Sequence, residues 1–392
     1  MWRACQLAAR AGRPSCRRLH LHSSASLETA APVISSSSSS SSKARRLQAP
    51  VFARHCSAAP AAASSEEGSS LPPLVDQSLR GFGQVVFCNS PASGALIGLG
   101  LLHVNPWLAG LAGVGCVSAT VTARLAGMEA GSIGAGIMGY NGALVGCCFS
   151  VFLLGGAPMI EPAILATAAG GAASAFVTAA LGKVLTSVPQ WTLAFNATAL
   201  AVLLFVRPFA DAEQEVPPST AVSALSAADW GTALLTGVSQ IFLVNDPFSG
   251  ALVLAGIAAY SPLMAAAALA GSLLGLGTAV ATGADAAEVR NGLWGFNPAL
   301  TCLAVSVFFV PLGISPLVLA CGGAVATALL TAYMKDIFGS VLQVPSLTLP
   351  FCAVASACYL LASRSPSGAF GGLRLAARPH SPEENLRAVR AL

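Results

Sequence analysis

An all-α membrane protein, made of two inverted repeats of about five transmembrane helices plus one re-entrant half-helix each, follows from three observations. The composition is 55% hydrophobic and 9% charged, with a mean hydropathy of +0.71, far from the roughly 25% charged usage of soluble domains. Apolar runs of about 20 residues recur, enough as helices to cross a hydrocarbon core roughly 30 Å thick. Finally, the chain contains itself twice at an offset of 156 residues.

Three blocks carry that offset. Gln84, Val85, Phe87, Asn89, Pro91, Ser93 and Gly94 return as Gln240, Ile241, Leu243, Asn245, Pro247, Ser249 and Gly250. Tyr140, Asn141 and Leu144 return as Phe296, Asn297 and Leu300, and Val188, Pro189, Thr192 and Phe195 as Val344, Pro345, Thr348 and Phe351. No slippage accumulates between the blocks, so chance likeness of apolar segments is a poor explanation. A duplicated membrane chain interrupted at matching places is the mark of a transporter or channel whose pathway runs between its halves.

Residues 1–75 read as an address followed by a linker. They hold nine Lys/Arg against three Asp/Glu, a net +6, so the rest of a chain of net charge +4 is at −2. Basicity belongs to the tail, and nothing supports a nucleic-acid partner. The first 27 residues contain five Arg and no acid, the composition of a mitochondrial or plastid transit peptide rather than a secretory signal; a cytosolic tail on a plasma-membrane protein is the alternative. The eight-serine run Ser35–Ser42 and the Ala/Ser/Pro stretch after it cannot bury a core and are expected to be disordered.

The first membrane repeat spans 76–207. A short segment ends at the Asn-x-Pro-x-Ser-Gly block, and apolar passages follow at roughly 91–103, 106–125, 130–154, 158–182 and 190–207. An acidic linker with adjacent prolines, 208–228, leads to the second repeat, 229–363, with passages at roughly 247–258, 262–281, 289–313, 316–334 and 346–362. An odd number of crossings sends the second half in from the opposite side, which inverts it; a parallel duplication, needing an even count, is the rival. Residues 364–392 read as a solvated tail.

The segments before Pro91 and Pro247 are too short and too broken to span. Proline removes a backbone donor and disfavours helix in the residue before it, and non-helical backbone at membrane depth survives only when packed in protein or lining a cavity. Gly81–Asn89 and Gly237–Asn245 are therefore read as half-helices meeting from opposite faces, with interfacial helices as the bland alternative. The paired Gln84 and Gln240 can donate and accept. Thr192 and Thr348 follow Pro189 and Pro345, which free nearby carbonyls, so hydroxyl and carbonyl oxygens can form a short stack of acceptors. Asn141 and Asn297 add amides. Val85, Phe87, Ile241, Leu243, Tyr140, Phe296, Leu144 and Leu300 supply apolar walls. Such a lining suits a small neutral solute with several N–H donors and repels ions, whose hydration nothing replaces. Each residue has a plainer role: a membrane threonine usually bonds back to its own helix, and an Asn or Gln often joins helices. Glu161 has no acidic counterpart in the other repeat, where Leu317 stands, and is read as an interface or structural contact rather than a proton carrier.

The Gln-Val-Val-Phe-x-Asn-x-Pro-x-Ser-Gly and Tyr-Asn-Gly blocks, with Phe-Asn-Pro and Val-Pro-x-x-Thr-Leu-Pro-Phe in the second half, resemble the urea transporter family from about Leu79 to Leu361. The resemblance implies two inverted repeats of five helices plus a re-entrant helix, a pore through each subunit of a homotrimer in the lipid bilayer, and channel-like facilitated diffusion of urea with no cofactor or energy source. Carried over, the outer and inner urea sites involve Gln84, Val85 and Phe87 with Leu144, and Gln240 and Ile241 with Leu300. Tyr140 and Phe296 match the aromatic positions that flatten the pore, and Thr192 and Thr348 its narrow middle. The chain departs from that pattern at Leu243, which stands opposite Phe87, at Ala194, opposite Pro350, and in the hydroxyl of Tyr140.

The rivals are weaker. An ammonia channel resembles others in placing paired histidines in its lumen; only His103 lies in the membrane region, and its counterpart is Ala259. Water or polyol channels use an Asn-Pro-Ala pair, which the two Asn-x-Pro-x-Ser-Gly blocks are not, and no pore arginine is evident. An enzyme needs a nucleophile with its base, a metal cluster or a cofactor motif, and none is visible, nor is a phosphate-binding Gly-rich loop. A non-transporting scaffold would be indifferent to loss of the threonine pair. The eleven Cys include no Cys-x-x-Cys pair, and those in apolar passages read as small hydrophobes. The expected residence is multi-pass in the plasma membrane, or in a plastid or mitochondrial membrane if the N-terminus is a transit peptide.

Overall fold

Among the described residues, four helices of the two repeats open the same way, with a polar side chain capping the first turn and proline at the first helical position, where no backbone donor is needed. Ser90 caps the helix α2 (Pro91–Val104) at the Ser93 N–H, 3.3 Å. Asn105 caps α3 (Pro106–Leu125) at Trp107, 2.8 Å. Asp246 and Ser261 do the same for α9 (Pro247–Tyr260) and α10 (Pro262–Ala281). Pro91 and Pro247 thus start helices as well as ending the segments before them.

The computed structural model describes residues 71–153, 160–206, 225–364 and 373–391. The transit-peptide reading and most of the 208–228 linker lie outside the described residues. The remaining elements of the first half are α1 (Pro73–Gln84), α4 (Ala130–Gly134), α5 (Tyr140–Phe152), α6 (Ile160–Val184) and α7 (Leu193–Val206). The second half adds α8 (Ala227–Ser239), α11 (Ala286–Arg290), α12 (Phe296–Phe308), α13 (Ser315–Ile337) and α14 (Leu349–Arg364), and the chain ends in α15 (Pro382–Arg390). Shifted by 156, the bounds of α2 to α5 fall on those of α9 to α12. Among the described residues the fold is all-helical, with one isolated antiparallel bridge, Phe309 to Leu375.

Among the described residues, four helices are long and apolar enough to cross a membrane: Pro106–Leu125, Glu161–Val184, Pro262–Ala281 and Ser315–Leu342. A fifth span arises if the pair Ala227–Phe242 and Pro247–Tyr260, bent by 72°, counts as one. The other apolar helices have 13 to 16 residues, at 1.5 Å per residue about 20–24 Å. The passages expected at 130–154 and 289–313 are not continuous. Each breaks after a five-residue helix, at turns where Gly136 and Gly292 adopt φ of +75° and +70°, a left-handed conformation that glycine enters without steric cost.

Backbones meet closely where glycines face them. A Cβ on Gly94 would lie 1.8 Å from the Leu79 carbonyl oxygen, and one on Gly250 2.1 Å from that of Leu235, so α2 returns tightly on α1 and α9 on α8. Gly115 of α3 and Gly142 of α5 face each other's carbonyls in the same way, the small-residue packing expected of membrane helices. Between the halves, Gly100 packs on Ser249 while Gly256 packs on Ser93. Each glycine thus meets the serine that stands 156 residues from the one its counterpart meets.

Residues 373–391, expected to be a solvated tail, make specific contacts. Val310 N–H donates to the Arg374 carbonyl and Ala376 N–H to that of Phe308, both at 2.9 Å, and Asn385 Nδ2 donates to the Val307 carbonyl at 2.7 Å. Glu383 accepts from the Ser261 hydroxyl (2.7 and 2.9 Å) and the Leu263 N–H (3.2 Å), placing a carboxylate at the N-terminus of α10, where the helix dipole favours it. Burial pushes the Glu383 carboxyl up, but the hydrogen bonds from Ser261 and nearby backbone outweigh it and leave it below its ordinary value. A depressed carboxyl contributes its stabilisation above the ordinary glutamate value of about 4.3 and loses it as pH falls through the lower folded value. The amide-exchange protection factors of α15 are therefore expected to drop in that acid range, and to be low already at neutral pH in Glu383→Ala. Protection that is flat through the acid range would show that the carboxylate does not hold the segment.

Candidate functional site

Thr192 and Thr348, 156 residues apart, meet with their hydroxyl oxygens at 2.7 Å, both buried. Each directly precedes a helix, α7 or α14, and each follows a residue in left-handed conformation, Trp191 (φ 47°) and Leu347 (φ 50°). Bulky residues rarely adopt that region; here the twist brings both hydroxyls to the junction of the halves. Asn196, one turn into α7, completes the cluster. Its Nδ2 donates to the Thr192 carbonyl and to Thr348 Oγ1, each at 2.8 Å, and its Oδ1 accepts from Thr348 N–H at 3.2 Å. Cys352 Sγ lies 3.3 Å from Thr192 Oγ1.

The two glutamines stand at equivalent places. Gln84 Nε2 donates to the Ala135 carbonyl and Gln240 Nε2 to that of Asn291, both at 2.8 Å. Anchoring the nitrogen to the turn before α5 or α12 fixes the amide and leaves its oxygen as an acceptor. Val85, Ile241, Leu144 and Leu300, each 1% exposed, join one apolar cluster with Phe296 and the half-buried Phe87, Leu243 and Tyr140. Phe87 (φ 64°) and Leu243 (φ 59°) occupy matching left-handed positions at the turns after α1 and α8.

The cluster is aromatic on one side. Phe87 meets Trp191, Phe308 and Phe351 edge-on, with ring centroids at 6.3, 6.0 and 6.4 Å, the arrangement that aromatic quadrupoles favour. Trp191 packs at 5.0 Å on Phe308 and donates its indole N–H to Ser356 Oγ at 2.9 Å. The Tyr140 hydroxyl donates to the Trp191 carbonyl, fixing the residue that leads into Thr192. In the second repeat Phe87, Tyr140 and Trp191 are matched by Leu243, Phe296 and Leu347, and Phe296 has no hydroxyl with which to repeat that bond.

Not every expected residue joins the centre. Asn89 and Asn245 are exposed; Asn89 Oδ1 accepts from Arg80 at 2.9 Å and Asn245 Nδ2 donates to Asn291 Oδ1 at 3.0 Å. Asn141 ties α5 to α6 and α7, donating to Thr178 Oγ1 at 3.0 Å and accepting from Phe195 N–H at 3.1 Å. Asn297 donates to Thr331 Oγ1 and the Leu347 carbonyl. These asparagines join segments, the plainer of their two readings. Glu161 is exposed at the start of α6.

Sequence reasoning passed over Trp191 and Asn196. The signal for Asn196 is a lone amide in a 14-residue apolar helix, four positions after Thr192 and so on the same helix face. Among the described residues no three His, Cys, Asp or Glu stand together as metal ligands. The groups gathered here are amide oxygens and two hydroxyls, which can accept hydrogen bonds, set among uncharged hydrocarbon and aromatic side chains.

Residues 75–363 match the family model for urea transporters. The chain is also similar to urea transporter 1 of sheep (Ovis aries) and of mouse (Mus musculus). Each is 35% identical over 304 residues, covering 75% of this chain and 78% of the relative.

Proposed function

The chain belongs to the urea transporter family, and from that premise we propose that it conducts urea down its gradient, without an energy source, through a pathway between two inverted repeats. The carrying observation is the meeting of Thr192 and Thr348 at 2.7 Å. Duplicated hydroxyls at the junction of the halves, with duplicated glutamine amides anchored identically, suit a solute with four N–H donors and one carbonyl. Urea loses water on entry and regains hydrogen bonds from Gln84, Gln240, Thr192 and Thr348, while Val85, Ile241, Leu144, Leu300, Phe87, Leu243, Tyr140 and Phe296 confine it to a flat shape. An ion entering such a lining forfeits its hydration without replacement. The functional unit is a homotrimer of such subunits in the bilayer, each with its own pathway.

The test is stopped-flow light scattering of liposomes holding the full-length chain, under an imposed urea gradient. Re-swelling well above that of empty vesicles is expected, without an ion gradient and equal at pH 6 and pH 8, since no lining group titrates between them. Urea flux no faster than in empty vesicles, from protein that elutes as a folded oligomer, overturns the reading.

A further inference from the structure

Two threonines related by a duplication could share their hydrogen bond in either direction. The surroundings of this pair remove that freedom. Thr348 N–H is a donor, so the asparagine facing it must present Oδ1, which fixes the amide's orientation. Both hydrogens on Asn196 Nδ2 are then spent, one on the Thr192 carbonyl and one on Thr348 Oγ1; its 3.8 Å approach to Cys352 Sγ is the long one of the three. Among the described contacts, the hydroxyl hydrogen of Thr348 has a single acceptor, Thr192 Oγ1. The hydrogen of Thr192 is left with Cys352 Sγ at 3.3 Å, and sulfur is a weak acceptor. One order satisfies every group: Asn196 N–H to Thr348, Thr348 O–H to Thr192, Thr192 O–H to the sulfur.

Resting on the pathway reading above, we infer that Asn196 is a positioning residue that gives the threonine pair a direction, making Thr192 the hydrogen-bond donor to the carbonyl oxygen of urea. Its repeat counterpart is Cys352, so the asymmetry is built by one amide facing one thiol. Thr348 offers the solute only a lone pair, because its hydrogen is committed. Thr192 exchanges a poor sulfur partner for a good oxygen one when urea arrives, at little cost.

Thiourea, with sulfur in place of the carbonyl oxygen, is the probe, because it accepts weakly. Permeabilities to urea and thiourea are measured in liposomes for each variant. Thr192→Val is expected to lower the urea-to-thiourea ratio about five- to tenfold, the effect of one hydrogen bond, whereas Thr348→Val lowers both fluxes and leaves the ratio near wild type. Exchanging the partners, Asn196→Cys with Cys352→Asn, reverses the order, and the ratio then falls with Thr348→Val instead. A purely structural role for Asn196 predicts no such exchange. Should the exchanged protein fail to fold, Cys352→Ser serves: oxygen holds the Thr192 hydrogen more firmly, so the ratio drops, and an unchanged ratio overturns the inference. Equal ratios in both threonine variants, with both fluxes reduced, overturn the direction and leave the pathway standing. Unchanged fluxes in both overturn the pathway itself and the direction with it.

Discussion

Thr192→Val combined with Thr348→Val is expected to lower urea permeability about ten- to a hundredfold. Valine keeps the branched outline but removes both hydroxyls from the buried centre. A hydrogen bond of this kind contributes about 0.5–1.5 kcal/mol net, and two lost at the point of least hydration raise the barrier by roughly 1.4–2.8 kcal/mol, a factor of ten for each 1.4. The double variant also leaves Asn196 Nδ2 without its Thr348 acceptor, so some loss of stability accompanies it. Stopped-flow rates normalised to reconstituted protein, with thermal unfolding followed in parallel, separate the two effects. Wild-type flux from the double variant would remove the threonines from the pathway.

Gly94→Ala is the substitution expected to damage the fold most. Its new methyl would fall 1.8 Å from the Leu79 carbonyl oxygen, and backbone cannot swing aside as a side chain can. The helices α1 and α2 must separate, at the upper end of the roughly 1–3 kcal/mol typical of overpacking or beyond it. Gly98, one turn further along α2, has nothing within 4 Å of its added Cβ, and Gly98→Ala should be neutral or stabilise by up to about 1 kcal/mol through helix propensity. Thermal unfolding in detergent distinguishes them. If both variants melt with the wild type, the close return of α2 on α1 is wrong.

The repeat was legible because an offset survives wherever polar residues punctuate apolar sequence: Gln84 with Gln240 and Thr192 with Thr348 stand out against hydrocarbon. The break between α4 and α5 was not, because 130–154 holds no charged residue and membrane helices tolerate the glycines that elsewhere end them. Gly136 declares itself only through its φ. Nor could Phe87 and Leu243 be foreseen in left-handed turns, since bulky side chains seldom occupy them. Trp191 passed for ordinary apolar filling because the partners that reveal it, Phe87, Phe308 and Tyr140, come from three other parts of the chain. Asn196 was passed over because the bond that singles it out reaches a threonine 152 residues away.

The reciprocal packing of Gly100 on Ser249 and Gly256 on Ser93 bears on what a joined chain can encode. In a dimer of two identical repeats, any change at such a contact would appear on both sides at once. An amide there would face an amide, and a thiol a thiol. Two repeats in one reading frame hold Asn196 and Cys352 at equivalent positions, a polarity that a dimer of identical copies is forbidden to hold.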